Sequence, residues 1–273
     1  MEEKPIATIN AFILHPSSLL LTHPLTQVVL TLTSLRDQLF HRFASSFILI
    51  RVKPVVIVML KAPRPGLVKT RLTPPLSQNE AAELATCFAQ DVVTSALRLA
   101  GSVIVAYYPA DSRAELEVIL PSNVTWVEQR GEDLGARLNT VSLQAFSLGF
   151  SPIIFVGTDS PTLPPAFIRD AIHSLTTEES DVVLGPTEDG GYYLIGLCRP
   201  LSVLFEGVAW STSNTYAETA DKAARLGMRL LALPLWYDVD TPSDLQRLQR
   251  EVLTEAEAQA NAPATYQWFL GRK

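Results

Sequence analysis

Val55-Val-Ile-Val-Met-Leu60 is an unbroken apolar run, mostly β-branched and of strand length, and it narrows the fold more than any other stretch. A strand that is apolar on both faces must be covered on both, as in a parallel sheet held between helix layers. Pro152-Ile-Ile-Phe-Val-Gly157 repeats the pattern, and Asp181 to Leu184, Tyr192 to Leu197 and Met228 to Leu233 read as further strands. Strands are also expected at Ser102 to Tyr108 and, a short one, at Val124 to Glu128. Ser77-Gln-Asn-Glu80 is a capping box, so a helix should start there and run to Gly101. Helices are also expected near Arg113 to Leu120, from about Asp133, over Pro164 to Leu175, over Ser213 to Leu226, and from Pro242 to about Ala260. This alternation with short connections predicts an α/β sheet covered on both faces. At 273 residues and 47% hydrophobic content the chain can bury one substantial core. One domain over residues 54–260 is therefore expected, with a C-terminal tail at 261–273.

The loop after the first strand, Lys61-Ala-Pro-Arg-Pro-Gly-Leu-Val-Lys-Thr-Arg-Leu72, sets four cations on a backbone shaped by Pro and Gly. No acid occurs between Asp37 and Glu80, in a chain whose net charge is −6. A solvated loop normally mixes both signs, whereas this one lies at the carboxyl end of a strand, where open α/β sheets hold their ligands. It reads as a polyphosphate cradle. The overall acidity argues against a nucleic-acid-coating role, which needs a broad basic face. The expected partner is a small anion.

Carboxylates follow in later motifs. Gly157-Thr-Asp-Ser-Pro161 places Asp159 just past a strand, and Tyr237-Asp-Val-Asp-Thr-Pro-Ser-Asp-Leu245 adds Asp238 and Asp240, two apart in an extended segment and so on one face. Magnesium and manganese take oxygen ligands and need only one or two carboxylates when phosphates and water complete the shell. Asp159 and Asp240 are the expected metal ligands. Against this, Asp before Ser-Pro commonly caps a turn, and Asp240 or Thr241 could cap the helix starting at Pro242; capping is assigned to Thr241. Gly185-Pro-Thr-Glu-Asp-Gly-Gly-Tyr-Tyr-Leu-Ile-Gly196 reads as a substrate-facing hairpin. In it Gly190 and Gly191 allow close backbone approach, and Glu188 or Asp189 is available to an acceptor hydroxyl. Trp210 would wall this site, although Trp is more often core. Asp133 reads as a helix cap, with a ligand role through Gly135 as the alternative.

Cys87 and Cys198 lack the spacing of a metal site or a disulfide framework. His173 reads as a helix-surface residue rather than a base. Residues 1–50 contain no Gly and three of the four His. They are expected to be a disordered or non-native extension. Their apolar runs are broken by His15, Pro16, His23 and Pro24, so no membrane span is expected. The Met-Glu-Glu-Lys start lacks the positive charge of a secretory signal, and a cytoplasmic location is expected.

Taken in order, K-A-P-x-P-G-x-V-K-T-R-L, D-L-G-x-R, G-T-D-S-P, E-D-G-G-Y-Y-L-I-G, W-S-T and Y-D-V-D-T-P-x-D-L resemble the bacterial glycosyltransferase-like family described as radical-SAM and selenodomain-associated transferases. The resemblance spans about residues 54–248. It implies a GT-A-type nucleotide-diphospho-sugar transferase fold: three layers, α/β/α, with a mixed, mostly parallel sheet. It also implies a nucleotide bound along Lys61, Ala62, Pro63, Gly66, Lys69, Thr70 and Arg71, with Asp133 and Gly135 nearby. Catalytic weight falls on Asp159, Lys69 and Arg71, substrate contacts on Glu188, Asp189, Gly190, Gly191 and Trp210, and Mg2+ or Mn2+ on Asp159 and Asp240. The implied reaction is glycosyl transfer from a nucleotide-sugar to a small-molecule acceptor. The alternative is guanylyltransferase-like joining of a nucleoside triphosphate to a phosphorylated small molecule, with release of pyrophosphate. A nucleotide-binding protein without catalysis is the non-enzyme reading, and a homodimer is compatible with all three. Lys-Ala-Pro stands where many sugar-nucleotide pyrophosphorylases carry G-x-G-x-R-M.

Overall fold

The computed structural model describes residues 53–272, so the expectation for residues 1–50 lies outside the described residues. The elements run β1 (Val55–Lys61), α1 (Gln78–Ala100), β2 (Val103–Tyr108), α2 (Arg113–Ile119), β3 (Thr125–Glu128), α3 (Leu134–Ser147), β4 (Ile153–Val156) and α4 (Pro165–Thr176). They continue with β5 (Val182–Pro186), β6 (Tyr192–Leu197), α5 (Thr215–Arg225), β7 (Leu230–Ala232), α6 (Pro242–Thr254), α7 (Ala256–Asn261) and α8 (Pro263–Leu270). The strands form one sheet in the order β3-β2-β1-β4-β6-β5-β7. Only β6 runs against its neighbours, pairing antiparallel with both β4 and β5. The fold is thus the α/β architecture that the strand and helix pattern predicts, with the mixed, mostly parallel sheet that the family resemblance implies.

The period of two along β1 divides the core. Val56, Val58 and Leu60 join one fully covered cluster with residues of α1 and α4, while Val55 and Ile57 join another with Leu138 and Val141 of α3. β1 pairs with β2 on one side and β4 on the other. Chain order reverses across that boundary, and the crevice beyond the carboxyl ends of such strands is where a doubly wound sheet receives ligands.

A third cluster sits beside this crevice. Leu72 from the loop after β1 packs with Phe88 of α1, Tyr237 and Val239 before α6, and Leu245 and Leu248 within it. Leu72 and Val239 are fully buried, and burying a side chain of this size contributes about 2 kcal/mol. The cluster therefore draws the basic loop against the segment carrying Asp238 and Asp240.

Two expectations at the C-terminus need correction. The single helix expected from Pro242 to Ala260 breaks at Glu255, which is extended (φ −113°, ψ 119°). The break lets Ala258 and Ala262 reach the same cluster as Leu248 and Val252. Residues 263–270, expected in a tail, are helix α8 instead. Asp91 on the buried face of α1 holds its start, accepting hydrogen bonds from Ala264 N (2.8 Å), Thr265 N (2.9 Å) and Thr265 Oγ1 (2.7 Å). An acid at 2% exposure in a helix interior needs such partners.

Candidate active site

A cavity of about 430 Å3 opens at the carboxyl ends of β1 and β4, within the usual range for small-molecule sites. Lys61, Lys69, Thr70, Arg71, Asp159 and Asp240 all line it. Lys69 is its centre. After β1 the chain turns at Gly66 (φ 75°) and at Lys69 itself, which takes a left-handed backbone conformation (φ 47°, ψ 36°). That conformation is uncommon for a residue with a Cβ and directs the Lys69 side chain inward to 7% exposure. Its ammonium lies 2.5 Å from Asp159 Oδ1 and 3.2 Å from Asp240 Oδ1, and donates to Val239 O at 2.8 Å. Burial opposes the charge, yet the attraction of Asp159 and Asp240 together exceeds that cost and raises the lysine above its ordinary value. Lys69 stays charged.

The loop bearing Asp159 is tied to the one bearing Asp240. Val239 N donates to Asp159 O at 2.9 Å, and Ser160 Oγ lies 2.6 Å from Asp238 Oδ1 and 2.9 Å from Tyr237 O. Tyr237 and Val239 are buried while Asp238 and Asp240 point to the other face, the alternation expected of an extended segment. The two acids then differ. Asp238 is mostly buried, and its carboxyl is pushed up to about 7, first by burial and then by the charge of Asp159. Asp240 is partly open and also lies 3.6 Å from Arg71 Nη1. Thr241 caps α6 with a complete capping box through Asp244, as expected, which frees Asp240 from that duty.

Several predicted residues serve otherwise. Arg64 points away, to Glu115 (2.8 Å) and Asp111 (3.2 Å), and Lys61, though on the cavity wall, donates its Nζ to Leu67 O within its own loop (2.7 Å). Ala62 is buried, Pro63 and Gly66 shape the turn, and none of the three lines the cavity. Asp133 caps α3, accepting from Ala136 N at 2.7 Å. Gly135 leaves room for Trp210: a Cβ there would come 2.3 Å from the indole Nε1. Trp210 stands edge-on to Tyr192 (6.3 Å between ring centroids, 83°), and it is Tyr192 that faces the cavity.

The hairpin between β5 and β6 forms as predicted but does not bring its polar groups to the cavity. Glu188 is gripped by Arg247 Nη1 at 2.9 Å and 3.1 Å. Asp189 Oδ1 accepts from Thr187 Oγ1 (2.5 Å) and Gly191 N (3.1 Å). Gly190 (φ 89°) packs so closely that a Cβ would fall 2.0 Å from Ser213 O. Sequence reasoning missed the apolar lining, notably Met59, Leu67, Leu134, Leu138 and Tyr192. Leu67 and Leu134 are 54% and 39% exposed, and an apolar residue next to a cation in the cradle was the available sign of a rim.

Among the described residues no group of three or more His, Cys, Asp or Glu is placed to hold a metal by itself. Asp159 and Asp240 still fit Mg2+ or Mn2+. They are hard oxygen donors on the cavity wall, their side chains are 45% and 37% exposed, and such ions need few carboxylates beside a phosphate ligand. No helix of the described residues is long and apolar enough to cross a membrane.

Residues 92–212 match the family described as "Uncharacterized protein conserved in bacteria (DUF2064)". The crystal structure of a protein from Desulfovibrio desulfuricans G20, provisionally described as a nucleotide-diphospho-sugar transferase, is 30% identical and covers 80% of this chain and 98% of its own, with a TM-score of 0.71. CMP:2-keto-3-deoxy-manno-octonic acid synthetase complexed with CTP is 14% identical (74% of this chain, 99% of that one, TM-score 0.49). A cytidylyltransferase from Leptospira borgpetersenii is 12% identical (80% and 98%, TM-score 0.49). No curated protein sequence matches the chain.

Proposed function

Because this chain belongs to the same family as the Desulfovibrio nucleotide-diphospho-sugar-transferase-like protein, within the GT-A-like superfamily, we propose that it transfers a glycosyl group from a nucleotide-sugar to a small acceptor, assisted by Mg2+ or Mn2+. The observation that carries this reading is the buried Lys69 ammonium joined to both Asp159 and Asp240 on the wall of a ligand-sized cavity. The donor's diphosphate would lie along Lys69, Thr70 and Arg71, where a guanidinium fork can grip two oxygens and the ammonium adds a fixed charge. Asp159 and Asp240 would hold the divalent ion, which when bound neutralises charge on the leaving group. In the reaction the acceptor oxygen bonds to the anomeric carbon, the bond from that carbon to the diphosphate breaks, and the acceptor proton ends on the released diphosphate. A cation already in place needs no reorganisation as that charge develops. The ordered motifs further suggest kinship with the radical-SAM and selenodomain-associated transferases.

A thermal-shift panel of nucleoside triphosphates, nucleoside diphosphates and nucleotide-sugars, each with and without Mg2+ or Mn2+, tests the proposal. A ligand at 100 times its dissociation constant adds about 2.7 kcal/mol of stability. Metal-dependent stabilisation by one nucleotide-sugar is expected. Preference for a triphosphate, with pyrophosphate formed on addition of a phosphorylated acceptor, would favour nucleotidyl transfer, the alternative reading. Silence across the panel would overturn both. Asp159→Asn should remove the metal-dependent shift, while the unliganded protein still melts in one cooperative step because Lys69 keeps Asp240 and Val239 O as partners.

A further inference from the structure

A second chamber, of about 140 Å3, adjoins the main cavity, and Val156, Gly157, Asp159, Tyr192 and Tyr193 border both. Its own walls come from Val92 and Ser95 of α1, Ile168 of α4, and Leu163 on the approach to α4, with Ser160 and Asp238 at the edge shared with Asp159. We propose that this chamber is the acceptor subsite and that it takes an uncharged, ring-sized alcohol rather than a phosphorylated compound. The inference rests on the glycosyl-transfer reading above and narrows its acceptor.

Size sets the first limit. A 150 Å3 apolar cavity accommodates benzene, so this chamber holds about one six-membered ring. Charge sets the second. Every cation of the site lines the main cavity, whereas the chamber is bordered by no Lys, Arg or His and by two carboxylates, Asp159 and Asp238. A phosphate there would find no cation in the chamber's lining to hold it, since Lys69 lies on the main-cavity side and is already shared between Asp159 and Asp240. A hydroxyl can instead donate to a carboxylate oxygen while its ring contacts Val92, Leu163 and Ile168. Placement agrees, since the chamber meets the main cavity at Asp159, the carboxylate bonded to Lys69. The β5–β6 hairpin is a poor competitor for the role, because neither Glu188 nor Asp189 borders the chamber or the main cavity.

Saturation-transfer NMR on the full chain, with cyclohexanol and separately with cyclohexyl phosphate, tests the chamber directly. Cyclohexanol should receive saturation from the wild-type protein. Ile168→Trp and Ser95→Phe, which fill the space from α4 and α1, should each weaken its binding at least about tenfold, a change of 1.4 kcal/mol. Cyclohexyl phosphate should give no signal that these variants remove. A cyclohexanol signal that is absent, or that both variants leave unchanged, overturns the proposal, as does cyclohexyl phosphate lost on the same substitutions. Nucleotide-sugar thermal shifts run in parallel separate the two ideas. Shifts retained in the variants show an intact main cavity, and shifts absent from the wild type refute glycosyl transfer whatever the chamber binds.

Discussion

The loop after β1 and the hairpin between β5 and β6 look alike as sequence, each combining charged residues with glycine near the end of a buried strand. In three dimensions they differ in where their polar groups are satisfied. The β1 loop directs Lys69 into the cavity and across to Asp159 and Asp240, with Arg71 left 76% exposed beside them. The hairpin turns its carboxylates on itself and its neighbours, Asp189 to Thr187 and Gly191, and Glu188 to Arg247. Its glycines serve packing, as Gly190 does against Ser213. The difference is where the pairs lie: Lys69, Asp159 and Asp240 are paired with one another on the cavity wall, whereas the hairpin's carboxylates are paired away from it.

The sharpest break in this contrast is Lys69→Met. It removes the one cation that joins Asp159 to Asp240, and nucleoside diphosphate binding, followed by calorimetry, should weaken about 100-fold or more, since losing one partner of a buried charge pair with a ligand costs about 2 kcal/mol or more of affinity. Next is Gly190→Ala, where a Cβ would fall 2.0 Å from Ser213 O at a φ of 89°. Denaturant unfolding should show a loss of about 3 kcal/mol from overpacking and backbone strain, with nucleotide affinity in the folded fraction unchanged. A large affinity loss would return the hairpin to the site.

Asp181, at the other end of the hairpin's first strand, provides a pH test. Arg229 holds it down to about 2, through its side chain and then its backbone N–H. A carboxylate depressed in the folded state contributes stability above its unfolded value near 3.9, and that contribution is lost as pH falls through about 2. Asp181→Asn should therefore cost about 1 kcal/mol at pH 7, a cost that shrinks as the pH falls toward 2 and vanishes by about pH 1, read from urea melts along that series. The smallest effect is expected of Glu188→Gln. Its exposed pair with Arg247 contributes at most about 0.5 kcal/mol, and the metal-dependent nucleotide shift should stay at the wild-type value.

Much of the fold was legible because its signals are local. Tyr192–Leu197 forms β6 with the bounds read from its apolar run, and Ser77 and Gly101 delimit α1 through the capping chemistry their side chains or missing Cβ provide. Where the reading missed, the cause was non-local. Glu255 extends so that α7 can turn back toward Phe88, and α8 forms because Asp91, 173 positions earlier than Ala264, caps it.

The same division holds at the candidate site. Residue types and strand-end positions, visible in the chain alone, determined that a cation-rich loop and two carboxylate motifs would gather at the carboxyl edge of a parallel sheet, since strand burial and loop placement follow from hydrophobic pattern. They could not decide which polar groups remain available, because that depends on partners far away in sequence. Arg64 is taken by α2, Glu188 by Arg247, Asp238 by Ser160, and Lys69 reaches Asp240 across 171 positions only because Leu72 and Val239 share a core. Hydrogen bonds and ion pairs act over a few ångströms, so their pairing belongs to the tertiary structure.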